Sequence, residues 1–261
     1  MHKLNWRRDI PDIRDYKYNS HHTFKVAPLP PSMDLRPQMS PVFDQGQIGS
    51  CTSQALAGAL EFLELRDLQN KVASAEIIES QKFDNFSRLF IYYNERLIEG
   101  DVDQDGGAQI RDGIKSLAQY GDCPETSWGY GENLLFQKPT EQSYMEALAH
   151  RITSYSRLDN TNIYELKHAL ASGLPIVFGF TVYSGFESPT VASTGILNLP
   201  TPQEGVEGGH AVLMVGYNDA EQMFLVRNSW GSNWGLQGYF KMPYLYSTNV
   251  DLASDFWVIT R

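Results

Sequence analysis

The sequence predicts an α+β chain in two lobes. Helices dominate the first half, β-rich runs separated by turn residues the second, and the character of the chain changes after Gly173. From Cys51 to Leu68, Ala55, Ala59, Phe62 and Leu63 recur at three- and four-residue spacings with no proline between them, which predicts a helix. A second is expected over Leu89 to Ile98. A third runs from Gln109 to Tyr120, after the Gly106-Gly107 pair and before Gly121, and a fourth from Asn162 to Ala171, stopping at Gly173. Beyond Gly173 the expected strands are Ile176 to Val182, His210 to Tyr217, Met223 to Arg227, Gly238 to Met242 and Phe256 to Thr260. The helical lobe is expected over about 42–125 and the β-rich lobe over about 126–261, with the seam around 122–135.

Residues 1–31 differ from the rest. Pro11, Pro28, Pro30 and Pro31 punctuate them, and charged and aromatic residues interleave without a period. They read as an extended arm leading into a domain of residues 32–261. The chain has 261 residues, 42% of them hydrophobic, and a formal net charge of −10 with no long basic cluster. That balance excludes duplex nucleic acid and anionic membrane surfaces as partners of the whole chain. No run approaches about 18 consecutive apolar residues, so no membrane span is expected. The N-terminus lacks the apolar run of a signal peptide; the expectation is that the chain stays in the cytoplasm, leaves by a route the sequence does not display, or has had a leader removed. Two cysteines, Cys51 and Cys123, make no disulfide framework.

Three blocks carry chemistry. In Asp44-Gln45-Gly46-Gln47-Ile48-Gly49-Ser50-Cys51 a glycine-punctuated loop runs into a helix with a cysteine at the junction. The partial positive charge of a helix N-terminus favours a thiolate, and the amides there can donate to an oxyanion, as can the Gln45 side chain. In Gly208-Gly209-His210 a histidine enters a strand after two glycines. In Asn228-Ser229-Trp230-Gly231 an amide that can fix an imidazole tautomer precedes an indole that can shield the bond.

These blocks, in this order, resemble the papain-like cysteine peptidases, over roughly residue 30 to the C-terminus. Gly106-Gly107 resembles the glycine pair of that family's substrate cleft, and Asp255-Phe256-Trp257 its closing strand. The resemblance implies a two-lobed fold: a helical left lobe carrying the nucleophile helix, a β-barrel-like right lobe, and an active-site cleft between them. It implies Cys51 as nucleophile, His210 as general base and acid, Asn228 as the group orienting it, and Gln45 in the oxyanion hole. Trp230 would cover the His210–Asn228 bond on the leaving-group side. Gly106, Gly107 and Gly209 would line the substrate backbone, with Ser254 or Asp255 at the floor of the main specificity pocket; an inward Asp255 would favour a basic second residue. The implied activity is endopeptidase hydrolysis through a thioester on Cys51. The alternatives are a peptide-binding pseudoenzyme of the same fold, or acyl transfer to another amine.

This chain departs from the family at Ile48, where a cysteine is common, and at Thr52, where an aromatic is common. The first departure points to a disulfide-free, bacterial-type member. The long interval between Cys51 and His210 is expected to hold insertions around 70–85 and 185–207. The arm is too short for the family's helical prodomain and is expected over or beside the cleft. Asp101, Asp103, Asp105 and Asp112 match the spacing of a calcium loop, but Ala108 replaces its apolar residue, and no metal or cofactor is expected. Cys123 is expected as a small core or turn residue, Trp234 as packing under the Asn228 loop, and His21-His22 as solvated arm. The expected partner is a peptide or protein substrate, and the expected state a monomer.

Overall fold

A computed structural model describes residues 2–18, 28–73 and 84–261. His21-His22 and most of the insertion expected around 70–85 lie outside the described residues. The helices are α1 (Cys51–Ala73), α2 (Arg88–Glu99), α3 (Ile110–Gln119), α4 (Glu141–Ala147), α5 (Ile163–Ala171), α6 (Pro189–Thr194) and α7 (Tyr244–Ser247). The strands are β1 (Trp6–Arg7), β2 (Ser32–Asp34), β3 (Ala108–Gln109), β4 (Ser154–Arg157), β5 (Ile176–Tyr183), β6 (Val206–Asn218), β7 (Met223–Arg227), β8 (Tyr239–Pro243) and β9 (Ala253–Thr260). The chain is α+β, as the sequence predicts.

Seven strands form one antiparallel sheet in the order β4-β9-β5-β6-β7-β8, with β2 beside β6. The expected barrel-like lobe is instead an open sheet, because its edge strands β4 and β8 do not pair with each other. β6 is the long member. Its first part pairs with β5 and its last part with β7 and β2. It starts four residues before the expected His210, because Gly208 and Gly209 pair with Val182 and Thr181 rather than forming a turn. β4 escaped the sequence reading: its residues Ser-Tyr-Ser-Arg show no apolar alternation, and pairing with β9 makes them a strand.

Helix α1 is the spine. Every residue from Cys51 to Glu64 is buried, and only its last turns reach solvent. Small side chains at Ala55, Ala57, Gly58 and Ala59 bring it close to the sheet; a Cβ at Gly58 would stand 3.4 Å from both Leu213 of β6 and Arg227 of β7. α2 is capped by the Ser87 side chain, which accepts from the Phe90 amide, and ends at Gly100 with φ 80°. A second apolar cluster joins Leu89, Phe90 and Tyr92 of α2 to Ile48, Cys123, Leu135 and Ala147. Cys123 is thus a core residue, and α4 still packs with the helices beyond the expected seam. Both cysteines are free.

Gly113 of α3 faces the α1–α2 contact. A Cβ there would stand 2.2 Å from Glu95 Oε1 and 2.3 Å from Leu56 Cδ1. Gly113→Ala should therefore lower stability by about 1–3 kcal/mol despite alanine's better helix propensity. Urea unfolding checks this; an unchanged or raised midpoint would contradict the packing.

Candidate active site

Cys51 is the first residue of α1 and is fully buried. The backbone amides of Ala211, Asn5 and Thr52 donate toward its sulfur. Ala211 follows His210, so the helix end and the histidine strand meet at this sulfur. Beside it, His210 Nε2 lies 2.8 Å from Asn228 Oδ1. The Ser229 amide donates to the same oxygen at 2.9 Å, which fixes that oxygen as the acceptor and puts the imidazole proton on Nε2. Nδ1 is buried with no hydrogen-bond partner among the described residues. It is the nitrogen available to a thiol.

The Asn228 loop is held from both sides. The Asn228 amide donates to the Gly238 carbonyl at 2.9 Å, and the Gly238 amide donates to the Trp234 carbonyl at 2.7 Å. The Trp230 ring lies 5.2 Å from the imidazole and makes an edge contact with Trp234. Gln45 is buried in the same network. Its Oε1 accepts from Ser229 Oγ at 2.6 Å, which turns Nε2 toward the Ile48 carbonyl (3.0 Å) and the Lys3 carbonyl (3.2 Å). Gln45, Cys51, His210 and Asn228 are therefore brought together, with Trp230 over the last two.

The N-terminal arm runs through the cleft. His2 stacks on Trp230 at 4.9 Å and bonds Asp44 at 2.8 Å. Asn5 bridges to Gly209, Trp6 pairs in parallel with Ala108, and Arg7 reaches Glu99, Asp101 and the Gly107 carbonyl. The arm is bounded by glycines: a Cβ would stand 1.7 Å from the Asn5 carbonyl oxygen at Gly107, 2.6 Å from the Trp6 carbonyl oxygen at Gly209 and 1.9 Å from the Trp6 ring at Gly179. Gly106 has open space where a Cβ would stand. Farther along, Asp9 is clasped. Its amide donates to Asp255, and its carboxylate accepts from the Arg111 amide and the Trp257 indole. Arg157 bonds Asp255 at 2.6 Å and Asp15 at 3.1 Å, and Arg111 bonds Asp15 at 2.9 Å.

Burial sets the electrostatics. It raises the Cys51 thiol to about 11 and lowers His210 to about 4, the latter against the Asn228 bond that supports its charged form. Docked, both groups are neutral near pH 7. Asp9 is raised to about 6, first by burial and then by the charge of Asp255.

The two departures from the family pattern have partners. Ile48 is core, and Thr52 Oγ1 donates to buried Glu95 at 2.7 Å, whose carboxyl burial pushes well up in pKa. Among the residues expected at the pocket floor, the Ser254 hydroxyl is buried with no partner among the described residues, and Asp255 is tied to Arg157. Asp105 and Asp112 do not form a calcium loop: Asp112 bonds Lys115, while Asp105 turns to Gly49. Among the described residues, no group of three or more His, Cys, Asp or Glu could hold a metal. No helix among them is long and apolar enough to cross a membrane. Sequence reasoning missed Gly179, Ser229 and Asp105 as site residues. Gly179 was legible as a lone glycine within an apolar strand, a sign of close backbone approach.

The family model for papain family cysteine proteases matches residues 29–258. The chain is 43% identical over 271 residues to an uncharacterized peptidase C1-like protein of Acanthamoeba polyphaga mimivirus, covering 95% of this chain and 84% of that protein. It is 28% identical over 244 residues to a pro-cathepsin H of Medicago truncatula, where it spans 85% of this chain and 59% of that protein. Among solved structures, xylellain, a cysteine protease from Xylella fastidiosa, matches with TM-score 0.88 and 44% identity over 98% of this chain and 95% of that one. A digestive procathepsin L 3 from Tenebrio molitor shares the fold at TM-score 0.72, 23% identity, over 95% of this chain and 74% of that one. The chain belongs to the papain family of cysteine proteases, and it is a hydrolase of that family.

Proposed function

We propose that the chain hydrolyses peptide bonds through a thioester on Cys51, and that residues 2–18 hold the cleft shut until they are displaced. The observation that carries this reading is that the amide of Ala211, the residue after His210, donates toward the Cys51 sulfur, while Gln45 Nε2 and Cys51 meet the same stretch of arm at Lys3 and Asn5. His210 Nδ1 takes the thiol proton, and the sulfur attacks the scissile carbonyl carbon. The oxygen becomes an oxyanion held by Gln45 Nε2 and the Cys51 amide. As the C–N bond breaks, His210 gives the proton to the leaving amine. Water then attacks the thioester, His210 takes its proton, and the acid leaves with the thiol restored. Asn228 positions the ring throughout.

The arm fills this machinery backwards. It runs N to C from Trp230 past Gln45 to Gly107, whereas a substrate with its acyl side at Gly107 and its leaving group at Trp230 runs the other way. At Lys3 the carbonyl lies by Gln45, but the peptide nitrogen beyond it lies on the acyl side, away from where His210 would protonate a leaving amine. The reversed polarity is the reason the arm can rest on a nucleophile without being cut. Trp6, 7% exposed against Gly179, marks the second acyl-side pocket as apolar. The expectation of a basic residue there loses its charge, because Arg157 already pairs with Asp255.

Cys51→Ala and His210→Ala should each abolish turnover of a fluorogenic peptide, and Asn228→Ala should reduce it less. Trp6→Ala removes a buried indole and weakens docking by about 3 kcal/mol, so activity should rise roughly a hundredfold, up to that of the open enzyme. Substantial turnover by Cys51→Ala would sink the mechanism, and no gain in Trp6→Ala would sink the occlusion.

The clasp also makes docking pH-dependent. Asp9 is faced by Asp255, Asp15, Arg111, Arg157 and the Trp257 indole. Its pKa is raised in the docked state, so docked chain binds the proton more tightly than released chain. The Asp9 contribution to docking is therefore strongest below about pH 4, the ordinary carboxyl range, and is lost as pH climbs through about 6; the lowered pKa of buried His210 acts with the opposite sign. Hydrogen exchange of residues 2–10, corrected for intrinsic rates, should show the parent chain losing protection relative to Asp9→Asn as pH rises from about 4 to about 7. Protection of the parent that rises with pH relative to Asp9→Asn would contradict the clasp.

A further inference from the structure

Tyr130 lies in the expected seam between the lobes, yet its hydroxyl reaches the loop that carries both oxyanion donors. It donates to the Gln45 carbonyl at 2.8 Å. That carbonyl can only accept, so the one phenolic proton points at Gln45. The Ser50 hydroxyl, 2.7 Å from the same phenolic oxygen, is therefore the donor in the second bond. Ser50 directly precedes Cys51. One oxygen atom thus ties the residue whose side chain is the first oxyanion donor to the residue joined to the second, the Cys51 amide.

The tie is anchored from outside the loop. The Arg88 guanidinium lies over the Tyr130 ring at 4.1 Å and bonds both oxygens of Glu125 at 2.8 and 2.6 Å. Ser50 is fully buried, and burial raises the Tyr130 hydroxyl to about 12, so it keeps its proton near neutral pH. The other restraints on Gln45 act elsewhere. Its amide donates to the Ser229 carbonyl at 2.8 Å and its Oε1 accepts from Ser229 Oγ at 2.6 Å, which fastens Gln45 to the Asn228 loop. The Ile48 amide also donates to the Gln45 carbonyl, at 3.3 Å, from within the loop. Neither contact fixes Gln45 against Ser50 and Cys51, and the chain between them passes through Gly46, with φ 59°, and Gly49.

We propose that Tyr130 is a positioning residue for the oxyanion hole, its hydroxyl setting the spacing between Gln45 and the Cys51 amide so that both donors meet one oxygen as the scissile carbonyl turns tetrahedral. The inference rests on the peptidase reading above. The donors are matched to the oxyanion and not to the planar carbonyl, so a shift of one against the other slows the chemical step more than it weakens substrate binding. Tyr130→Phe keeps the ring under Arg88 and removes only the tie.

The test compares two rates on the same full chain. One is kcat/KM for a fluorogenic peptide, which needs the oxyanion donors. The other is the rate constant for iodoacetamide labelling of Cys51, read by mass spectrometry, in which iodide leaves carbon and no oxyanion forms. Both need Cys51 and an open cleft, so arm docking or loss of folded chain lowers both alike and cancels in their ratio. Tyr130→Phe is expected to lower the ratio about tenfold, less than the roughly 10²–10³-fold cost of deleting a donor outright, with the loss in kcat rather than KM. A ratio within threefold of the parent's overturns the inference, because a merely structural residue moves both rates together. Should Tyr130→Phe not fold, Ser50→Ala, which cuts the same chain of bonds at its other link, decides by the same ratio. A parent that cleaves the peptide beside a variant of unchanged ratio defeats this inference alone; a parent labelled at Cys51 that cleaves no peptide defeats the peptidase reading and this inference with it.

Discussion

The contact of the first turn of α1 with β6 is the constraint on which the site depends. It brings the Ala211 amide to the Cys51 sulfur, and Ala211 directly follows His210 in β6. The close approach is possible because α1 carries small residues at Ala55, Gly58 and Ala59, and because its first fourteen residues are buried in a core shared with β5, β6 and β9. Everything else in the site hangs from this contact. The Asn228 loop is fixed through Gly238 and Trp234, and it fixes the imidazole tautomer; the Ser229 hydroxyl then aims Gln45. Each link satisfies a polar group that would otherwise be buried unpaired, so the network holds one geometry.

The cleft itself is a slot between Gly107 on one side and Gly179 and Gly209 on the other. The absence of side chains there lets a peptide backbone lie against both walls, and the arm uses that space. Reversed direction, an indole seated against Gly179 and a clasp of carboxylates and guanidinium groups at Asp9 together make the arm an inhibitor rather than a substrate in the proposed reading. Burial in the docked state holds the thiol and the imidazole neutral.

Much of this was legible in the chain. The helix from Cys51 and the strand from Met223 to Arg227 follow from periodicity and turn residues, because those segments bury one continuous set of apolar side chains. The candidate set was legible because Gln45, Cys51, His210 and Asn228 each sit in a short block with its own chemistry. What was not legible depended on distant contacts. β4 is a strand only through β9, and β6 starts early only through β5. Asp105 belonged to a run of aspartates that imitated a calcium loop; only the turn of its carboxylate toward Gly49 and Tyr92 separates it from Asp112. Whether Asp255 could offer a charge to the pocket was not legible, because its partner Arg157 lies on a strand the sequence did not reveal.

The most direct test of the account is the rate at which an epoxide inhibitor such as E-64 labels the chain, mapped by mass spectrometry. The account predicts a single adduct on Cys51 and none on Cys123, formed slowly in the full chain and at least tenfold faster once residues 1–18 are removed. Equal rates with and without the arm, or an adduct elsewhere, would contradict it.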